Sequence, residues 1–181
     1  MSKLPNHNKG FTLIELLIAL ALVTLVTSLT FSYYSFQSKT FEVTNTQTQL
    51  QTATRFAREI IETKVKYAQS IEILSEIPQQ EDLSDDQEAI FVDANGIIVY
   101  LTKTASKNLL GNSFNDVDMC LCFYKATDAE VTDNLLGFNV KSVIDNDEYT
   151  LESQVYLINH PGINDAPIPD PDNSNAISFV P

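Results

Sequence analysis

The first feature of the chain is a long apolar run at residues 11–36, with the sequence FTLIELLIALALVTLVTSLTFSYYSF. It contains one charged residue, Glu15, and neither glycine nor proline. A helix of this length covers about 39 Å, enough to cross the roughly 30 Å hydrocarbon core of a bilayer. The preceding residues include Lys3 and Lys9 and no acid, so we expect them to stay in the cytoplasm. The pattern therefore predicts a membrane-spanning helix with the rest of the chain outside.

The helical pattern continues beyond the apolar run. Neither glycine nor proline occurs between residue 11 and Pro78, so nothing in the sequence obliges the helix to end at the membrane surface. We therefore predict an amphipathic second half at residues 37–77, which packs through one apolar stripe. The stripe consists of Leu50, Ala53, Ala57, Ile60, Ile61, Val65, Ala68 and Ile71.

Strand patterns dominate residues 78–181, after an acidic loop that begins at Pro78. Asn95 and Gly96 separate two apolar runs, at residues 89–93 and 97–102, and predict a tight hairpin because this pair adopts positive φ angles. Further strands are predicted at residues 119–124, 136–144 and 149–159. The chain is thus predicted to be α+β, with a long N-terminal helical spine, its apolar half projecting, packed on one mainly antiparallel sheet of five strands.

Composition narrows the possible functions. The chain has 181 residues, with 11 basic and 24 acidic side chains, and a formal net charge of −13, which disfavours direct binding of nucleic acid. The soft metal ligands are Cys120, Cys122, His7 and His160, too few and too scattered for a recognisable zinc site. No catalytic constellation and no phosphate-binding glycine-rich loop is recognisable, so we expect neither an enzyme nor a cofactor.

Three interpretations of the apolar run compete. A secretory signal peptide fits poorly, because no Ala-x-Ala-like cleavage site follows the run. A plain membrane anchor fits the hydropathy but leaves Glu15 unexplained. A carboxylate deep in a membrane costs about 2.5–3.5 kcal/mol and calls for a partner, and residues 11–36 include no lysine or arginine.

The third interpretation comes from residues 9–17, KGFTLIELL, which resemble the class III signal of type IV pilins and type II secretion pseudopilins. The resemblance implies that a prepilin peptidase removes residues 1–10 by cutting between Gly10 and Phe11, and that Phe11 is then N-methylated. It also implies that Glu15 meets the N-terminal ammonium of a neighbouring subunit during assembly. A buried charge pair of this kind selects register more than it adds stability.

The strand order, the late strand at residues 149–159 and the Gln49-x5-Arg55 spacing resemble the W-type minor pilins and J-type pseudopilins. The resemblance implies a minor pilin that acts in filament initiation or in a tip complex. Its partners would be the prepilin peptidase, other subunits and an inner-membrane assembly platform with an ATPase. It would sit in the cytoplasmic membrane, N-terminus inside, before entering an extracellular or periplasmic filament. The alternatives are a secretion or competence pseudopilin, a major fibre subunit and a membrane-anchored binding module.

Two groups of residues have weaker candidate roles. Cys120 and Cys122 lie two apart in a predicted strand, about 7 Å from each other and too far for an ordinary disulfide, so we expect buried thiols. An intermolecular disulfide or a thiolate pair for a metal are the alternatives. We predict no metal site overall, with Asp165, Asp170 and Asp172 in the proline-rich tail as weak calcium candidates.

Overall fold

The computed structural model describes residues 10–126, 134–159 and 176–181. The chain forms two compact units, residues 1–44 and residues 45–181. Helix α1 runs from Leu13 to Val65, so its N-terminal part belongs to the first unit and its C-terminal part to the second. The described strands all lie in the second unit.

Helix α1 ends twelve residues before the predicted limit, so the expectation of helix to residue 77 is wrong. After Val65 the backbone turns, with the Ala68 amide donating to the Val65 carbonyl at 3.1 Å. Residues 70–74 then form strand β1, Ser70–Leu74, in which Ile71 is buried. The β-rich part therefore begins at Ser70 rather than at residue 78. Ala68 and Ile71 are buried as predicted, but from a turn and a strand instead of a helix.

The strands form two antiparallel sheets rather than the single predicted sheet. The strands after β1 are β2 Glu88–Val92, β3 Ile98–Thr102, β4 Ser106–Asn108, β5 Asp118–Lys125, β6 Leu135–Ile144, β7 Asp147–Tyr156 and β8 Ala176–Val180. The first sheet has the order β1-β8-β2-β3-β4, and the second has the order β5-β6-β7.

The predicted hairpin at Asn95 and Gly96 is confirmed as β2 and β3, which pair in antiparallel register. Gly96 has a φ of +72°, and a side chain there would press on Asp118 at 3.0–3.2 Å. The Asp93 carboxylate accepts hydrogen bonds from the amides of Asn95 at 3.0 Å and Ile97 at 2.8 Å. Partial burial opposes ionisation, but these hydrogen bonds outweigh it and hold the pKa of Asp93 below its ordinary value. The ionised form of Asp93 therefore stabilises this turn.

Strand β8 was not predicted, since no strand was expected after residue 159. It lies between β1 and β2, and its residues 176–179 are buried. β8 pairs with β1 in antiparallel register, with Ser70 opposite Val180. The Val180 carbonyl also accepts a hydrogen bond from the Gln69 amide at 2.8 Å. Residues 176–180 therefore form an interior strand of the first sheet.

One hydrophobic core joins the C-terminal part of α1 to both sheets. Its largest side chains include Phe123 of β5, Phe138 of β6 and Phe179 of β8, all almost fully buried. The rings of Phe123 and Phe138 pack with centroids 6.0 Å apart. Because both sheets contribute to the same core, unit 45–181 is a single folded body.

Candidate functional site

The segment at Gly10 and Phe11 precedes the helix and is not helical. Gly10 is exposed, and a side chain built there would meet nothing within 4 Å. Phe11 is also exposed, with 86% of its surface accessible. No described contact within the chain requires a glycine at position 10.

Thr12 and Glu15 form a capping box at the start of α1. The Thr12 amide donates to Glu15 Oε2 at 2.9 Å, and the Thr12 hydroxyl donates to the same oxygen at 2.8 Å. The Glu15 amide in turn donates to Thr12 Oγ1 at 3.3 Å. This reciprocal pattern satisfies amides that have no partner within a helix. The sequence signal for it, Thr-x-x-Glu, was present and was missed.

Glu15 is the one charged residue between Gly10 and Lys39. No basic side chain of the same segment is available to neutralise it, so among the described residues its partners are the amide and hydroxyl of Thr12. A negative charge in the first turn is favourable for the helix dipole. The carboxylate thus has a local role at the helix start, and a cationic partner must come from outside the segment.

The first part of α1 is fully exposed in the isolated chain, and residues 13–44 include no buried side chain. The helix is long and apolar enough to cross a membrane, by length and composition. Its exposed apolar surface is continuous rather than confined to one stripe, which is typical of a helix surrounded by lipid or by other helices.

The predicted apolar stripe lies against the core. Most of its side chains are less than 8% exposed, and Ile60 is half-buried at the edge. The fully or almost fully buried members are Leu50, Ala53, Ala57, Ile61, Val65, Ala68 and Ile71. The small residues Ala53 and Ala57 let the helix approach the sheets closely.

Two polar contacts between α1 and the second sheet were not foreseen. Thr54 is fully buried, and its hydroxyl lies 2.7 Å from that of Ser142, which is also fully buried. Arg58 Nε donates to Glu62 Oε1 at 2.8 Å and to Ser153 Oγ at 3.0 Å. Ser153 Oγ donates to Glu62 Oε1 at 2.6 Å. Arg58 and Glu62 are four residues apart on the helix, a spacing that is visible in the sequence. The serines are not foreseeable in this way, because they come from strands some 90 residues away in the chain.

The weaker candidates gain no support as ligands. Cys120 and Cys122 are not joined in a disulfide, and the first is half-buried and the second buried. Among the described residues, no cluster of three or more His, Cys, Asp or Glu side chains could hold a metal ion. Asp165, Asp170 and Asp172 lie outside the described residues, as do residues 1–9 and His160.

Comparison with known proteins bears on both parts of the molecule. Residues 5–31 match the family model of the prokaryotic N-terminal methylation motif. A variant of the PilB minor pilin from Streptococcus sanguinis has a similar structure, with a TM-score of 0.53 and 18% sequence identity. The alignment covers 74% of this chain but only 34% of that one, so the chain spans about a third of the length of its structural neighbour. No curated protein sequence matches significantly.

These matches agree with the independent features of the structure. The motif covers the exposed Gly10–Phe11 segment, the capping box and the apolar start of α1. The structural similarity concerns the long helix packed on antiparallel sheets. The chain therefore combines the N-terminal methylation motif of type IV pilin-like proteins with a pilin-like fold.

Proposed function

We propose that this protein is a minor pilin, a structural subunit that enters a type IV pilus or related filament after a prepilin peptidase cuts between Gly10 and Phe11. Residues 1–10 are the leader, and Phe11 becomes the N-methylated first residue. The single observation that carries the proposal is the methylation motif, placed on an exposed non-helical segment directly before an apolar helix.

The proposed assembly step uses Glu15. In the isolated chain its carboxylate accepts two hydrogen bonds from Thr12 but has no cationic partner in residues 10–38. The new ammonium at Phe11 of a neighbouring subunit supplies such a cation. Burial between helices strengthens their attraction, although desolvation cancels much of the gain. The pair therefore sets the register between subunits.

A minor rather than a major role is favoured by two observations. The structural neighbour is itself named as a minor pilin. In addition, Cys120 and Cys122 lie two positions apart on one strand and are not joined in a disulfide, whereas major pilins commonly close a loop with two well-separated cysteines. We place the subunit in an initiation or tip complex, with other pilins, an assembly platform and its ATPase as partners. The alternatives are a type II secretion or competence pseudopilin, a major subunit and a membrane-anchored binding module.

The charge of the mature form supports an indirect role in any uptake of nucleic acid. Loss of Lys3 and Lys9 with the leader leaves nine basic residues against 24 acids. Such a surface repels phosphate backbones at physiological salt. In the proposed topology the leader faces the cytoplasm and unit 45–181 lies outside, first on the membrane and then in the filament.

The testing experiment is mass spectrometry of the intact protein and its N-terminal peptide, recovered from its own cells. We expect a chain that begins at Phe11 with a methylated amine. An unprocessed Met1, or cleavage beyond Phe36, would contradict the proposal. A second measurement compares incorporation of Glu15→Ala and Glu42→Ala into sheared filaments. We expect loss only for Glu15→Ala, because Glu42 lies on the same helix but outside the apolar segment.

A further inference from the structure

Four aromatic residues encircle α1 at the outer end of its apolar run. They are Phe31, Tyr33, Tyr34 and Phe36, which we name the aromatic collar, and each has 66–73% of its surface exposed. At 100° per residue their directions are spread around the helix rather than gathered on one side. A helix that docks in a protein groove presents one face of roughly 100°. An encircling set fits surroundings that contact the helix from all sides.

The spacing along the helix matches a bilayer. From Phe11 to Phe31 the chain rises by about 30 Å, which equals the thickness of a hydrocarbon core. The collar itself spans about 7.5 Å, comparable to one headgroup layer. Beyond it, Lys39 is the first charged residue after Glu15. The order along the helix is thus apolar core, aromatic layer and then charge.

The polar side chains between the two ends are compatible with lipid. Three threonines in this stretch donate their hydroxyls to backbone carbonyls of the same helix. The donors are Thr24, Thr27 and Thr30, at 2.7–2.8 Å from the carbonyls of Ala21, Val23 and Val26. Hydroxyls that are satisfied within the helix need no water.

We propose that the collar lies in the outer headgroup layer of the membrane and sets the depth of α1, so that the Gly10–Phe11 bond sits at the opposite boundary. Aromatic side chains favour this layer because their rings are apolar while their edges and hydroxyls stay hydrated. With the collar there, Glu15 lies about 6 Å inside the inner boundary rather than at the bilayer centre. The position of the Gly10–Phe11 bond matters for processing only if the proposed function is correct. The depth of α1 in the membrane does not depend on that function.

The test uses tryptophan as a depth probe, because the chain contains none. Full-length Tyr34→Trp and Leu22→Trp variants are placed in phosphatidylcholine–phosphatidylglycerol vesicles, with bromine near the glycerol end or near the methyl end of the acyl chains. We expect the Tyr34→Trp probe to lose more fluorescence to the shallow bromines, and the Leu22→Trp probe to the deep ones. Strongest quenching of the Tyr34→Trp probe by deep bromines, or none by either lipid, would overturn the proposal.

A second measurement asks whether the collar sets the depth. All four collar residues are changed to alanine in the Leu22→Trp protein, and Phe41→Ala serves as the matched aromatic control. We expect the collar variant to shift the Leu22→Trp probe away from the deep bromines, with no shift for the control. An unchanged profile would refute the depth-setting role. Because no peptidase takes part, failure here is distinct from an unprocessed N-terminus, which would refute the proposed function alone.

Discussion

The buried hydroxyl pair of Thr54 and Ser142 leads to a quantitative prediction about how α1 is held to the second sheet. The two oxygens lie 2.7 Å apart, and both residues are fully buried. Thr54 Oγ1 also donates to the Leu50 carbonyl at 2.8 Å, and Ser142 Oγ reaches the same carbonyl at 3.2 Å. The perturbation is a double-mutant cycle made of Thr54→Val, Ser142→Ala and the combined variant.

The structure sets the magnitude. Each single substitution removes the shared hydrogen bond, worth about 1 kcal/mol. The hydroxyl that remains still bonds to the Leu50 carbonyl, so neither variant leaves a buried donor without a partner. This keeps each single loss near 1 kcal/mol, at the lower end of the about 1–3 kcal/mol that a buried group without a partner costs. The double variant loses the same bond only once, so we expect a coupling energy of about 1 kcal/mol.

The assay is urea unfolding of the full chain in detergent, followed by near-ultraviolet circular dichroism of its tyrosines. Thr63→Val is the matched control, because Thr63 is exposed and its hydroxyl donates to the Glu59 carbonyl within the helix. We expect the control to change the free energy of unfolding by less than about 0.5 kcal/mol. Additive losses in the cycle would refute the reasoning, since they would show that the two hydroxyls do not share a bond.

Three further predictions concern the start of α1, the turn at Asp93 and the packing of the Tyr124 ring on Gly137 of the neighbouring strand. Thr12→Ala should speed amide hydrogen exchange in the first turn of α1 about fivefold, because it removes about 1 kcal/mol of capping energy. Thr12→Ser keeps the capping hydroxyl and should leave the exchange rate unchanged. Hydrogen-exchange mass spectrometry of the protein in vesicles measures both. Because the pKa of Asp93 is lowered in the folded protein, its ionised carboxylate stabilises the fold at pH values above the ordinary aspartate pKa, and this stabilisation is lost as the pH falls through the pKa of the folded state. Urea unfolding of Asp93→Asn at several pH values should lack this part of the pH dependence. Gly137→Ala would place a methyl group in the Tyr124 ring, which crosses over this glycine, and should cost about 1–3 kcal/mol by the same assay. In a protein that already carries Tyr124→Ala, Gly137→Ala should cost much less. An unchanged cost in that background would contradict the overlap.

Several parts of the molecule could be predicted from local sequence. The Gly10–Glu15 motif, the apolar run and the Asn95–Gly96 hairpin each depend on residues close together in the chain, whose chemistry specifies the local structure. The stripe from Leu50 to Val65 is of the same kind, because helical periodicity alone places these side chains on one face.

The position at which α1 ends could not be predicted from local sequence. Nothing in residues 66–77 forbids a helix, and residues 11–77 include no glycine or proline. Residues 70–74 form β1 because β8 pairs with them from more than 100 positions away. Pairing between distant segments has no local signal, so the prediction of helix was reasonable but wrong. The division of the strands into two sheets has the same origin.

What the sequence determined by itself is the chemistry of the N-terminus: a glycine directly before the apolar run, a Thr-x-x-Glu capping sequence, one carboxylate and an apolar run long enough to cross a membrane. What only the tertiary structure decided is where α1 ends, how the strands divide, and that Thr54 is buried opposite Ser142. The physical reason is the distance along the chain over which each interaction acts. Periodicity, capping and hydropathy act over a few residues, whereas burial and strand pairing depend on partners that the chain brings together only when it folds.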